Sequence, residues 1–254
     1  RNIEKSIRLL QQSSTQNNQE ALLTLGLMHY EGDIFDTNIS KAIEYYTKSA
    51  HLGNSKAHYN IALMFQKGEK GLIPKNSQKA IDHFTIAASK GLVAAQYNLG
   101  VLYTPIDKVI SAKFLTLASI NGDSDAQLNL GSMYLNGDLG QKANINKAID
   151  LYKKSGKQNN PKALFNLGSL YCKGEKVNKD LKKAAYFYKK SSDLNMDKAT
   201  FNLGILYFNG GEGFPQDKEK ALKLFEKIAD RNLKALFNLA VMYQNGEGTE
   251  RNEK

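Results

Sequence analysis

Tryptophan is absent from these 254 residues, and cysteine occurs once, as Cys172. A single thiol rules out a disulfide within the chain and suits a reducing compartment. No run of 18 apolar residues occurs, so no hydrophobic helical membrane span is expected. No segment sustains an alternating apolar–polar pattern, so no sheet is expected either. Arginine is scarce: the 35 basic residues include only Arg1, Arg8, Arg231 and Arg251. The formal net charge of +10 is therefore carried by lysine, read here as solvating outer helix faces. The arginine-rich clusters with interleaved aromatics that mark nucleic-acid binders are missing, which leaves a basic nucleic-acid-binding surface as an alternative reading only.

Catalytic chemistry is also missing from the pattern. The four histidines, His29, His51, His58 and His83, show neither His-x-x-x-His nor Glu-x-x-His spacing, and no cysteine pair accompanies them. No metal ligand and no cofactor are assigned. Cys172 would need a histidine base beside it in space to act as a nucleophile. Gly210-Gly211-Glu212-Gly213 lacks the lysine and the preceding strand of a phosphate loop and reads as a turn between helices. Carboxylates are scattered without a repeated offset. No catalytic residue and no small-molecule substrate are assigned.

What is there is one phrase repeated seven times, Ala-x-x-Asn-Leu-Gly-x-x-Tyr-x-x-Gly with variations. Its Leu-Gly step falls at Leu25-Gly26, Ile61-Ala62, Leu99-Gly100, Leu130-Gly131, Leu167-Gly168, Leu203-Gly204 and Leu239-Ala240. The spacings are 36, 38, 31, 37, 36 and 36 residues. A period of this length means stacked supersecondary units, each touching only its neighbours and together presenting an extended surface. The whole of 1–254 is read as one array of about seven units.

In the second unit, Ala57, Ile61, Met64, Phe65 and Gly68 lie on one face of a helix A that glycine terminates. Ala80, Ile81, Phe84, Ala87 and Ala88 lie on one face of a helix B that stops at Gly91. The helix-A motifs occupy 21–32, 57–68, 95–104, 126–137, 163–174, 199–210 and 235–246. Four residues before each helix-B small residue stands an N-cap candidate: Asn2, Asn38, Asn76, Asp107, Asn144, Asp180 or Asp217. Such side chains accept from the orphan amides of a first turn. Asn252 continues the series. Both ends thus fall inside the array, as expected for a window of a longer protein. The chain opens on Arg1 rather than methionine, so its compartment is left unread: an intracellular one is favoured, with the endoplasmic-reticulum lumen left open. The third unit is irregular. Tyr103 and Ser111 are 8 residues apart, against 13 to 15 elsewhere, with Pro105 between them.

The stretch Ala-Gln-Tyr-Asn-Leu-Gly-Val-Leu-Tyr at 95–103 resembles helix A of a Sel-1-like repeat, and Asp217-Lys218-Glu219-Lys220-Ala221 resembles that family's helix-B start. The resemblance covers essentially the whole chain. It implies an all-α, right-handed superhelical solenoid of antiparallel helix pairs, related to tetratricopeptide repeats, and adaptor roles in larger assemblies. One secreted bacterial branch carries a cysteine pair in each repeat and is reported to bind β-lactams. With Cys172 alone, this chain departs from that branch, so β-lactam binding or hydrolysis is the disfavoured alternative.

The helix wheel suggests where a protein partner would sit. Residues two, six and nine places after the motif alanine point away from the core side of helix A, toward the inner face of such a solenoid. The first of these places holds Leu23, Tyr59, Tyr97, Leu128, Phe165, Phe201 and Phe237; the second holds Leu27, Leu63, Val101, Ser132, Ser169, Ile205 and Val241; the third includes Tyr30, Leu135 and Phe208. An apolar stripe on an exposed face marks a partner site. The candidate partner-binding residues are Tyr59, Leu63, Tyr97, Val101, Phe165, Phe201, Ile205, Phe208 and Phe237, receiving an extended segment or a helix of one or more partner proteins. The alternative is that these rings tuck against the neighbouring helix A. Asn60, Asn98, Asn129, Asn166, Asn202 and Asn238 precede the Leu-Gly step, placed either to bond between neighbouring helices or to hold a peptide backbone.

Overall fold

The computed structural model describes residues 2–69, 71–138 and 142–248; Asn252 lies outside them. The described residues form fourteen helices and no strand. Two isolated bridges, Glu69 with Ile73 and Gly211 with Phe214, pin loops. The chain divides into two compact units, Arg1–Asp123 and Ser124–Lys254.

Unit 1 contains α1 (Ile3–Thr15), α2 (Gln19–Glu31), α3 (Ile39–His51), α4 (Ser55–Lys67), α5 (Ser77–Ser89), α6 (Val93–Tyr103) and α7 (Lys108–Ile120). Unit 2 contains α8 (Ser124–Asn136), α9 (Ile145–Lys157), α10 (Pro161–Lys173), α11 (Leu181–Asp193), α12 (Asp197–Asn209), α13 (Lys218–Glu226) and α14 (Leu233–Gln244). Even-numbered helices are the A helices and odd-numbered ones the B helices. Most are 13 residues long, a length at which an isolated helix is marginal in water. They stand because each packs on its predecessor and successor within its unit. The core is thus a series of small clusters. One joins Leu23, Tyr46, Ile61 and Met64; another joins Leu181, Tyr188, Leu203 and Leu206.

All seven expected helix-B caps are in place. The side chains of Asn2, Asn38, Asn76, Asp107, Asn144, Asp180 and Asp217 each accept a first-turn amide. The backbone amide of the cap donates to the carbonyl of the aromatic residue near the end of helix A: Asn38 to His29, Asn76 to Phe65, Asp107 to Tyr103, Asn144 to Tyr134, Asp180 to Tyr171 and Asp217 to Tyr207. The short link of the third unit makes this same bond, at 2.7 Å from Asp107 N to Tyr103 O. A shorter loop therefore leaves the helix pair unchanged. The lysine three residues after four of the caps lies over that aromatic ring: Lys79 over Phe65, Lys147 over Tyr134, Lys183 over Tyr171 and Lys220 over Tyr207, with Nζ 4.7–5.4 Å from the ring centres. These lysines cover aromatic faces as well as solvating the surface.

The A helices begin two residues before the motif alanines, and four of them are capped there by an asparagine side chain; α6 and α12 begin at the same place without a side-chain cap. Asn18, Asn54, Asn160 and Asn232, each three residues before its alanine, accept from that alanine's amide. Just before three of these caps the chain turns through a positive φ, taken by Asn17, Gly53 and Asn159, residue types that tolerate it.

Two of the helix-B caps in unit 2 are aspartates. The Asp180 carboxylate is held below its usual range first by the Lys183 amide and then by the Lys183 ammonium. The Asp217 carboxylate is held down first by the Lys220 ammonium and then by the Lys220 amide. A depressed folded-state value stabilises the fold above the unfolded value, and that stabilisation disappears as pH falls through the folded one. Asp180→Asn with Asp217→Asn is therefore expected to keep the caps while flattening acid unfolding of unit 2 below about pH 4. Thermal melts across that range check it; an unchanged slope would mean that these caps do not report on acid stability.

Candidate partner-binding face

The contact between paired helices is built around the glycine in the middle of helix A. A Cβ on Gly26 would lie 2.6 Å from the Tyr46 ring, and one on Gly100 would lie 2.6 Å from Leu115. In unit 2 the same holds for Gly131 under Tyr152 at 2.9 Å, Gly168 under Tyr188 at 2.6 Å and Gly204 under Phe225 at 2.6 Å. Helix B thus crosses helix A closely enough for its large side chain to occupy the space a methyl would need. Ala62, fully buried in the cluster with Phe84, holds the equivalent place in the second unit.

Once seated on glycine, the helix-B tyrosines carry their hydroxyls toward the asparagine row. Asn202 donates to the Tyr188 hydroxyl at 3.3 Å, and that hydroxyl donates to Ser169 at 3.1 Å. The Tyr152 hydroxyl pairs with Ser132 at 2.9 Å and with Asn166; Tyr46 pairs with Asn60. Phe84 has no hydroxyl, and Asn98 donates instead to Tyr59 at 3.3 Å. Burial pushes the Tyr46, Tyr152 and Tyr188 phenols up, so they stay protonated at any physiological pH. These asparagines therefore bond between neighbouring repeats, one of the two roles open to them from sequence.

The stripe residues differ in how far they are covered. In unit 1, Tyr59 and Leu63 pack against the cluster that contains Phe84, with the Tyr59 and Phe84 ring centres 5.5 Å apart. Tyr97 is half-buried, and Val101 is 37% exposed. In unit 2, Phe165 packs on Tyr188 at 5.6 Å and Phe201 on Phe225 at 5.7 Å. Leu23 and Leu128 are buried. Tyr59, Phe165 and Phe201 are each covered by the helix-B ring of their own repeat, and Tyr59 also meets Asn98 of the next helix A. Phe237 is the open member at 68% exposure.

Three of the expected residues come together in unit 2. Ile205, Phe208 and Phe237 line an apolar pocket of about 220 Å³ with Val241, Met242 and Phe225, edged by Asn209 and Asn238. A second, more polar groove of about 410 Å³ contains none of the nine candidate residues, although Ser132, Leu135 and Ser169 of the wider stripe line it. It is lined by Ser132, Tyr152, Asn166, Ser169, Lys173 and Lys176, among others. Its sequence signal is serine at the second stripe place in two successive repeats, where the other repeats carry aliphatic residues.

All four histidines fall in unit 1. His29 is buried between Phe35 and Tyr45, its ring centre 4.5 and 5.7 Å from theirs. Burial and then Lys41 push it below the usual histidine value. His58 and His83, 25 residues apart, face each other across α4 and α5 with Nδ1 atoms 3.0 Å apart. No short-range spacing could have shown that pair. Cys172 is half-buried against the cluster around Tyr188.

The Sel1 repeat model matches residues 1–18, 19–54, 55–92, 93–123, 124–160, 161–196, 197–233 and 233–254. The chain belongs to the Sel1 repeat family. Proteins of this family are generally interaction scaffolds without catalysis of their own. Among solved structures, the Sel1-like-repeat (SLR) fold of c5321, a protective antigen present in uropathogenic Escherichia coli strains, matches at a TM-score of 0.82 with 27% identity, over 98% of this chain and 54% of that one. A Sel1 repeat protein from Oxalobacter formigenes matches at 0.78 with 25% identity, over 99% of this chain and 73% of that one. The chain thus spans about half the length of the first of these Sel1 structures. No curated protein sequence matches it. The all-α solenoid of helix pairs expected from sequence is the fold these structures share. No described helix is long and apolar enough to cross a membrane.

Proposed function

We propose that this Sel1 repeat chain is a non-catalytic scaffold that holds a peptide segment of a partner protein on the inner face of unit 2. The observation that carries the reading is the apolar pocket at Ile205, Phe208 and Phe237, whose Phe237 ring is mostly open to solvent. An aliphatic or aromatic side chain of the partner enters it, as anchors at interfaces commonly do. Phe201 packs on Phe225 in the lining of that pocket, Phe165 packs on Tyr188 one repeat earlier, and in unit 1 Tyr59, Leu63, Tyr97 and Val101 hold the corresponding motif places. Surface lysines add to association rate more than to affinity.

Selecting displayed peptides against the 254-residue chain tests this. Selected peptides are expected to carry a large apolar residue and to lose about tenfold in affinity, near 1.4 kcal/mol, on Phe237→Ala, with the melting temperature unchanged. Peptides that bind Phe237→Ala and Phe208→Ala as tightly as the parent would place the binding surface elsewhere.

A further inference from the structure

We propose that unit 1 carries an acid-sensitive latch that unit 2 lacks. All four histidines of the chain lie in unit 1. Three of them, the buried His29 and the joined pair His58 and His83, sit where full ring charge has no place. Mild acid therefore loosens α2–α5 and leaves unit 2 folded.

His29 holds the place near the end of helix A that Phe65, Tyr103, Tyr134, Tyr171 and Tyr207 hold in other repeats. Its ring is 8% exposed and lies between Phe35 and Tyr45, and its Nδ1 meets neither solvent nor a hydrogen-bond partner. A neutral ring tolerates this by carrying its proton on Nε2. Charging the ring would put an N–H on Nδ1 with nothing to accept it, and a buried donor left unpaired is costly. It would also set a cation against Lys41 of α3. Lys41 stands three residues after its cap, as do Lys79, Lys147, Lys183 and Lys220. Those four lie over phenyl or phenol rings, which attract an ammonium, whereas an imidazolium repels it. No carboxylate bonds Nδ1, although Glu31, Asp33 and Asp36 follow closely in sequence. Among the other helices packed on α2, α1 brings the exposed Glu4, Lys5 and Arg8, and Lys67 of α4 is turned to Tyr30 and Glu69.

His58 of α4 and His83 of α5 meet Nδ1 to Nδ1 at 3.0 Å, with ring centres 5.3 Å apart. In the neutral pair one Nδ1–H donates to the lone pair of the other Nδ1. A first added proton goes to Nε2 of the donating ring and keeps that bond. A second has to go to the accepting Nδ1, which turns two N–H groups against each other and puts two cations in contact. Lys90 and His51 bear on His58, which also donates to the Ala50 carbonyl; Asp82 and Lys79 bear on His83. Of these side chains Asp82 alone favours charge, and α6, packed on α5, carries no charged side chain.

Burial comes first in holding all three rings below the usual histidine value. Below about pH 6.5 the unfolded chain takes up protons that the folded one does not. Stability that is complete above that pH is therefore lost as pH falls toward the folded-state values. At pH 5.5 the loss reaches about tenfold for each histidine kept neutral. The aspartate caps of unit 2 respond only below about pH 4, so the two units part company in between. The Sel1 scaffold reading does not depend on this latch.

Hydrogen exchange of the 254-residue chain at pH 7.5 and 5.5, corrected for the intrinsic pH dependence of exchange, is the test. Amides of α2–α5 are expected to lose about tenfold or more in protection, and those of α10–α12 to keep theirs. His29→Phe supplies the residue type of Phe65, and His83→Phe that of Phe114 and Phe187, each seven places after its cap. Each is expected to recover about tenfold at pH 5.5, the first in α2 and α3, the second in α4 and α5. Proton NMR of the unsubstituted chain needs no variant: at pH 6 the His29 ring signals should remain those of a neutral imidazole. A His29 ring already half charged at pH 6.5, equal losses in both units, or an unchanged pH dependence in both variants would each overturn the proposal.

Discussion

Gly168→Leu is expected to lower the stability of the array by about 3 kcal/mol, the upper part of the range for overpacked cores. The side chain it adds has nowhere to go. Its Cβ alone would meet the Tyr188 ring at 2.6 Å, and Tyr188 is only 2% exposed. The ring must leave its seat, and with it go the bonds from Asn202 and to Ser169. Gly168→Ala should cost less, since its Cβ meets the same ring at 2.6 Å but nothing extends beyond it. Ala62 already occupies the equivalent site, and alanine recovers up to about 1 kcal/mol of helix propensity against glycine. Urea midpoints of the two variants check the pair of outcomes. Equal midpoints would show that helix B does not cross at the glycine.

Phe225→Ala is expected to cost about 3–5 kcal/mol, as for a fully buried aromatic. Phe225 is 0% exposed, sits over Gly204, and forms the floor of the pocket that Phe237 edges. Phe237→Ala, at a ring 68% exposed, should shift stability by no more than about 0.5 kcal/mol. Phe201, half-buried against Phe225, should fall between. Thermal melts of the three variants rank them. If Phe237→Ala destabilises as much as Phe225→Ala, the ring belongs to the core and the pocket is not a surface feature.

The helix pairs and their B-helix caps were legible because both are local. An Asn or Asp at N-cap, a small residue four places on and a glycine at mid-helix act within one or two turns of chain. The A-helix caps were legible in principle, since asparagine three residues before the motif alanine recurs at Asn18, Asn54, Asn160 and Asn232, but three repeats carry no asparagine there. The stripe was half legible. A helix wheel tells which way Tyr59, Phe165 and Phe201 leave helix A. It does not tell how far helix B reaches over them, because that depends on a ring twenty or more residues away seated on a glycine or, for Phe84, on Ala62.

The polar groove and the histidine pair show the limit more sharply. Ser132, Tyr152, Asn166 and Ser169 come from three helices, and only the packing of α8, α9 and α10 brings them to one surface. His58 and His83 are 25 residues apart with no motif between them. By itself the sequence determined the repeat, the all-α class, the helix termini and the family, since a period near 36 residues and capping chemistry are properties of the chain read along its length. The tertiary structure decided which aromatic rings are core and which face solvent, where the asparagines find partners, and which histidines meet. Those outcomes depend on distances between helices, and a helix-to-helix distance is set by the bulk of the side chains at the crossing.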